Sequence, residues 1–341
     1  MASTTKPILP WKARFSMSIL DFFLSLSRRS NGTINRGLLN FIDRKIPPNP
    51  NFVDGVSSSD VIVDSTRNLW FRVFIPSSNS VDTGESLPVF VFFHGGGFAF
   101  MSLSSIQYDA ICRLFCRSFP AIIVSVNYRL APEHRFPSQY DDGLEILKFL
   151  DKNNNILGNF ADITKCFLSG DSAGGNLAHH VAVRVSSENL QILKVIGLVS
   201  IQPFFGGEER TESDIRLKQV PVVSMDKTDW YWKMFLPDGS TRDHEAVNVS
   251  GPNAIDISNV DYPNTLLCVG GFDPLVDWQK RYYEWLRKSG KEVELIEYPN
   301  MIHAFYYFLD LQETSHFISK VKSFMIKQMM GGDNTKTDTA Y

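Results

Sequence analysis

Cysteine is scarce in this chain: there are four in 341 residues, Cys112, Cys116, Cys166 and Cys268. So few exclude a disulfide-stapled scaffold, which a chain of this length does not need. Cys112 and Cys116 stand four apart on a helical pattern. No Cys or His pair nearby completes a zinc site, so all four are expected as small core residues. An excess of one charge is also missing. Lys and Arg number 34 against 37 Asp and Glu, a net charge of −3. That balance gives nucleic acid or an anionic membrane nothing to bind. No apolar run is long enough to cross a bilayer, so no stable membrane insertion is expected. The run from Phe15 to Leu26 carries Asp21 in its middle and lacks the small-residue cleavage site of a secretory signal. The expected compartment is the cytoplasm, with the nucleus as a second. The sequons at Asn31 and Asn248 then read as chance matches. There is no internal repeat.

What is present is a globular composition, 43 % hydrophobic and 21 % charged, which favours a packed core over disorder. Low complexity is confined to Ser77–Ser86, expected as a hairpin loop, and to the polar tail 331–341, expected as a frayed end. Between them strands and helices alternate. Strands are expected at 60–64, 69–75, 87–93, 121–126, 165–169, 195–201, 265–269 and 293–298. The runs at 89–93 (Val-Phe-Val-Phe-Phe) and 121–126 (Ala-Ile-Ile-Val-Ser-Val) are apolar throughout, as in strands buried on both faces. Helical patterns fall at 105–118, 139–152, 173–187, 279–289 and 314–329. The alternation predicts one α/β domain over 1–341, with a mostly parallel eight-stranded sheet and helices on both faces. Two segments break it: residues 1–50, helical and then Pro-rich, and 203–260, aromatic and charged. They are expected together as a helical cap over the carboxyl ends of the strands, where open α/β sheets bind ligands. Apolar Ile19, Leu20, Phe22, Phe23 and Leu26 suggest an amphipathic helix that docks there, with Phe15.

The sharpest chemical signal is Gly170-Asp171-Ser172-Ala173-Gly174. It is a G-x-S-x-G pattern after an apolar strand and before an Ala/Val-rich helix. A nucleophile there occupies a strained strand-to-helix turn, and the flanking glycines leave no side chains to clash. Developing negative charge at Ser172 would face a helix N-terminus. The second signal is His94-Gly95-Gly96-Gly97-Phe98, directly after the third strand. Glycines let backbone N–H groups approach a substrate oxygen. Gly95, Gly96 and Gly97, with the N–H of Ala173, are the expected oxyanion donors. A phosphate loop is disfavoured because no Gly-Lys-Ser/Thr follows. Phe98 and Asp171 flank these motifs and are expected against the substrate.

With Asn127-Tyr128-Arg129-Leu130-Ala131-Pro132-Glu133 between them, these motifs resemble the hormone-sensitive-lipase-like branch of the α/β-hydrolases. Within it the chain looks like the plant carboxylesterases, relatives of the gibberellin receptors, from about residue 30 to 328. The resemblance implies the α/β-hydrolase fold, a cap built from the N-terminal segment and an insertion, and a Ser-Asp-His triad in that chain order. It places the acid in an Asp-Pro-Leu turn, here Asp273, with Asp277 the near alternative. Of the seven histidines, only His303 lies in a loop after the last strand. The family often has Gly where Asn300 stands, and Asn tolerates the same left-handed backbone. Tyr128, Arg129 and Glu133 are expected to anchor the loop after the fourth strand by buried hydrogen bonds, with Asp141 and Asp142. Asp171 either steadies the oxyanion loop or caps the following helix.

The implied reaction is hydrolysis of a small or short-acyl ester through an acyl-enzyme, with no metal and no organic cofactor. A hormone receptor on the same scaffold is the alternative, and a dehydratase-type lyase using the same triad is a third. The resemblance separates the first two: the receptors lack the triad histidine and typically carry Ser for the third glycine, whereas this chain has His303 and Gly97. The natural substrate is not legible, because the pocket depends on how 1–50 and 203–260 fold.

Overall fold

In this computed structural model, residues 11–29, 31–77, 86–119 and 121–331 are described, the side chains of residues 12 and 13 aside. Most of the Ser77–Ser86 loop and the tail from 332 onward lie outside them. The expected eight strands form one sheet: β1 (Val56–Asp64), β2 (Leu69–Pro76), β3 (Leu87–Phe93), β4 (Ile122–Asn127), β5 (Ala161–Asp171), β6 (Val195–Ile201), β7 (Asn264–Phe272) and β8 (Val293–Ile302). Their order is β1-β2-β4-β3-β5-β6-β7-β8. β2 alone runs against the rest, pairing antiparallel with β1 and β4, and the remaining pairs are parallel.

The helices are α1 (Trp11–Ser27), α2 (Arg36–Ile42), α3 (Ile106–Ser118), α4 (Ser138–Lys152), α5 (Ala173–Val185), α6 (Glu212–Arg216), α7 (Met225–Phe235), α8 (Val276–Lys288) and α9 (Gln312–Gly331). Side chains alternate across a strand, so the all-apolar β3 feeds two cores. Val89, Val91 and Phe93 pack on one face with residues of α4 and α5. Phe90 and Phe92 pack on the other with residues of α3 and α9. The four cysteines are free and buried in these cores, where burial pushes the Cys116 and Cys166 thiols up to about 12.

The chain from Ile201 to Asn264 carries α6 and α7 between β6 and β7. Val222 and Tyr231 from it, and Met17, Leu20 and Leu24 from α1, border the cavity that contains Ser172. Asp21 of α1 accepts a hydrogen bond from the Val222 N–H and pairs with Lys227. The docked side of α1 differs from the expected one. Leu24 is buried and Leu20 half-buried, but Trp11, Phe15, Ile19, Phe22 and Leu26 are 72, 61, 42, 62 and 56 % exposed. Their spacing of 4, 4, 3 and 4 residues puts them on one outward face. Among the described residues, no helix is long and apolar enough to cross a membrane.

Candidate active site

The turn from β5 into α5 holds Ser172 at φ 52° and ψ −119°, a region non-glycine residues rarely occupy. Three backbone bonds hold it there. Its N–H donates to Ile201 O at 2.9 Å, and its carbonyl accepts from Phe204 at 2.8 Å and Asn176 at 3.1 Å. The flanking glycines are sterically required. A Cβ on Gly174 would lie 1.9 Å from Phe93 O, and one on Gly170 would lie 2.2 Å from Gly174 O. The strain is thus imposed by surroundings that over-determine the turn.

His303 follows β8, and its Nδ1 stands 2.7 Å from Asp273 Oδ2. Asp273 is fully buried in the turn after β7. The same oxygen accepts from Gln279 Nε2 at 2.9 Å and Gln202 Nε2 at 3.2 Å, while Oδ1 accepts the Leu275 N–H at 3.0 Å. Burial disfavours the His303 imidazolium. The Asp273 charge and hydrogen bond, with the more distant Asp171, outweigh that and hold its pKa above the ordinary histidine value. Asp277 is engaged elsewhere: its Oδ2 accepts the Ser213 N–H at 2.8 Å in the first turn of α6.

Ser172 and His303 border one cavity of about 250 Å³ with Asp171, Gly96, Gly97 and Tyr231. Gly96 and Gly97 have φ of 104° and 60°, and a Cβ on Gly97 would lie 2.7 Å from the Tyr231 ring. Gly95 departs from expectation. Its N–H donates to the Tyr108 hydroxyl at 2.6 Å and is therefore not available to a substrate oxygen. The N–H groups of Gly96, Gly97 and Ala173 donate to nothing among the described residues. Phe98 is also corrected: it is fully buried and stacked on Phe235 at 4.0 Å, in the core rather than the cavity wall.

Asp171 does line the cavity, and its contacts reach the glycine loop through Tyr108. Its Oδ2 accepts from Tyr307 at 3.0 Å and from Tyr108 at 3.2 Å, the tyrosine that holds Gly95. Burial raises its carboxyl pKa, against the pull of the tyrosine hydroxyls and His303. His94 stacks on Tyr128 at 4.3 Å, and burial lowers its pKa to about 3. The Tyr128 hydroxyl donates to His94 O at 2.6 Å, and Arg129 binds the buried Asp142 through its backbone N–H and its guanidinium. Glu133 is half exposed rather than buried and pairs with Arg36 of α2. Asp141 is likewise half exposed and pairs with Arg184. Asn300 lies inside β8, and the left-handed residue of this segment is Ala304, at φ 60°.

Over residues 90–307 the chain matches the family model described as the α/β hydrolase fold. The chain belongs to the α/β-hydrolase family, in its hormone-sensitive-lipase-like branch. Its relatives within that family include receptors and enzymes. Gibberellin receptor GID1C of Arabidopsis thaliana is 40 % identical over 324 residues, 92 % of each chain. Carboxylesterase 20 of the same plant is 37 % identical over 281 residues, 80 % of this hydrolase-family chain and 86 % of its own length. Among solved structures, the esterase of Pyrobaculum calidifontis aligns with a TM-score of 0.72 at 26 % identity, covering 95 % of this chain and 99 % of that one.

The sequence reading missed Gln202, Gln279, Tyr108 and Tyr307. Gln202 carried a usable signal, a polar residue closing an apolar strand at the ligand edge of the sheet. Gln279 and Tyr108 sit on ordinary helical patterns that gave none.

Proposed function

We propose that this protein is a carboxylesterase in which Ser172 attacks the ester carbonyl, His303 carries the proton and Asp273 orients the imidazole. The observation that carries the reading is the 2.7 Å contact between His303 and Asp273 at the wall of the cavity that also holds Ser172. An Asp–His pair is what activates a weak hydroxyl nucleophile. In this reading the tetrahedral oxyanion is bound by the N–H groups of Gly96, Gly97 and Ala173. The alcohol leaves with the proton from His303; water, giving a proton to His303, then hydrolyses the acyl group from Ser172, which regains that proton. The cavity is bordered mainly by apolar side chains, among them Leu20, Leu24, Phe100, Phe204, Val222 and Phe308, and, among the described residues, by no lysine or arginine. An uncharged, short or compact ester suits it. The described parts of segments 1–50 and 203–260 act as the cap that selects it, through α1, Val222, Val223 and Tyr231.

A non-catalytic receptor is the second reading, supported by the 40 % identity to a gibberellin receptor. Purified protein supplied with p-nitrophenyl acetate and butyrate separates the two. Turnover that disappears in His303→Ala supports the esterase. No turnover on any ester, with tight binding of a small acidic hormone, would establish the receptor. Inertness to esters with elimination of water from a hydroxy-ketone would establish a lyase.

A further inference from the structure

Gln202 is the first residue beyond β6, and three observations set it apart. It is buried, and its φ is +43°, a left-handed backbone that costs a non-glycine residue energy. Its side-chain amide is committed at both ends. Nε2 donates to Ile302 O at 3.0 Å and to Asp273 Oδ2 at 3.2 Å, and Oε1 accepts the Ala304 N–H at 2.8 Å. Ile302 and Ala304 are the residues on either side of His303. Opposite the amide, a Cβ on Gly270 would lie 2.7 Å from Gln202 Nε2, so glycine there leaves room for it.

One amide therefore grips the backbone before and after His303 and the carboxylate that His303 faces. Its own backbone N–H donates to Cys268 O at 2.8 Å, anchoring it to β7. From this geometry we infer that Gln202 is a positioning residue, which fixes the imidazole of His303 relative to Asp273 and Ser172 without touching substrate. The inference rests on the esterase reading for its kinetic consequence, not for its geometry. Gln279 is a second donor to Asp273, but it reaches neither neighbour of His303 and cannot replace the clamp.

Two variants test it. Gln202→Met keeps the length and removes every amide bond. Gln202→Asn keeps an amide and accepts a left-handed backbone readily, but is one methylene too short to bridge. Misplacing a reacting group by about 1 Å costs about 10²-fold, so kcat should fall by about that factor in both. KM should stay within about threefold, since no substrate contact is lost. The downfield proton resonance of His303 Nδ1–H should broaden or vanish in both, while circular dichroism shows Gln202→Asn still folded, with a melting temperature lowered by the unpaired buried groups. Folded variants that keep kcat and the resonance would overturn the role. So would failure of both to fold, which would assign Gln202 to stability alone. If the wild type hydrolyses no ester, the esterase reading fails and the resonance still decides the clamp.

Discussion

The Tyr108 hydroxyl accepts the Gly95 N–H at 2.6 Å, and that single contact separates one glycine of the loop from its two neighbours. The same hydroxyl donates to Asp171, beside Ser172. The loop is therefore registered against the elbow by this side chain in addition to the pairing of Phe93 with Gly170 between β3 and β5. Tyr108→Phe removes the acceptor and leaves the Gly95 N–H buried without a partner, a cost of about 1–3 kcal/mol. We expect a lower melting temperature and a reduced kcat on p-nitrophenyl butyrate. Unchanged values of both would show that the loop keeps its place without the tyrosine.

The nucleophile is tested by Ser172→Ala. If the three groups act as a unit, kcat should fall by about 10⁶-fold. An organophosphate should label Ser172 in the wild type at one equivalent per chain, read by mass spectrometry. A labelled serine elsewhere, or an active alanine variant, would remove Ser172 from the mechanism.

The acid is tested by a pair of substitutions. Asp273→Asn should lower kcat by about 10⁴-fold, the scale expected when an amide imposes the wrong imidazole tautomer. Asp277→Asn should weaken only the start of α6, where Asp277 accepts the Ser213 N–H. Its signature is a small loss of stability with kcat nearly intact. The reverse ranking would exchange the two roles.

The pH dependence follows from His303. The base must be neutral to accept a proton, and its pKa is held above the ordinary value, about 6.5 for histidine. kcat/KM should therefore fall on acidification with a midpoint above that value rather than at it. For folding the sign is opposite. Protonated His303 favours the folded chain below the unfolded-state pKa, and that contribution is lost as pH rises through the folded-state pKa. An acid limb centred below 6 would contradict the Asp273 contact as the dominant influence.

The architecture was legible because it depends on short-range signals. All eight strands fall where apolar runs predict them, and the glycines at 170 and 174 announce the elbow because nothing larger fits. The outward face of α1 was not legible. Periodicity identifies an amphipathic helix, but Phe15 and Phe22 are as apolar as Leu20 and Leu24, and only the tertiary contact decides which set docks. Gly95 failed for a related reason: the residue that occupies its N–H lies 13 positions away on a helix. Gln202 and Gln279 meet Asp273 from 71 and 6 positions away; the polar end of β6 marks Gln202 as a candidate, but no local pattern marks the convergence.

The tie between Asp21 and Lys227 has a consequence for how the chain is made. Asp21 is synthesised about two hundred residues before Val222 and Lys227, which hold it. Tyr307 and Phe308, on the same cavity wall as Met17 and Leu20, come later still. Domains begin folding from the N-terminal side during synthesis, but here α1, which packs on α2 nearby in the chain, completes its seat only when Val222 and Lys227 exist. Until then Met17 and Leu20 lack the Val222 side of the wall they share. The cavity wall is thus complete only once Met17 and Phe308, from distant parts of the chain, have met.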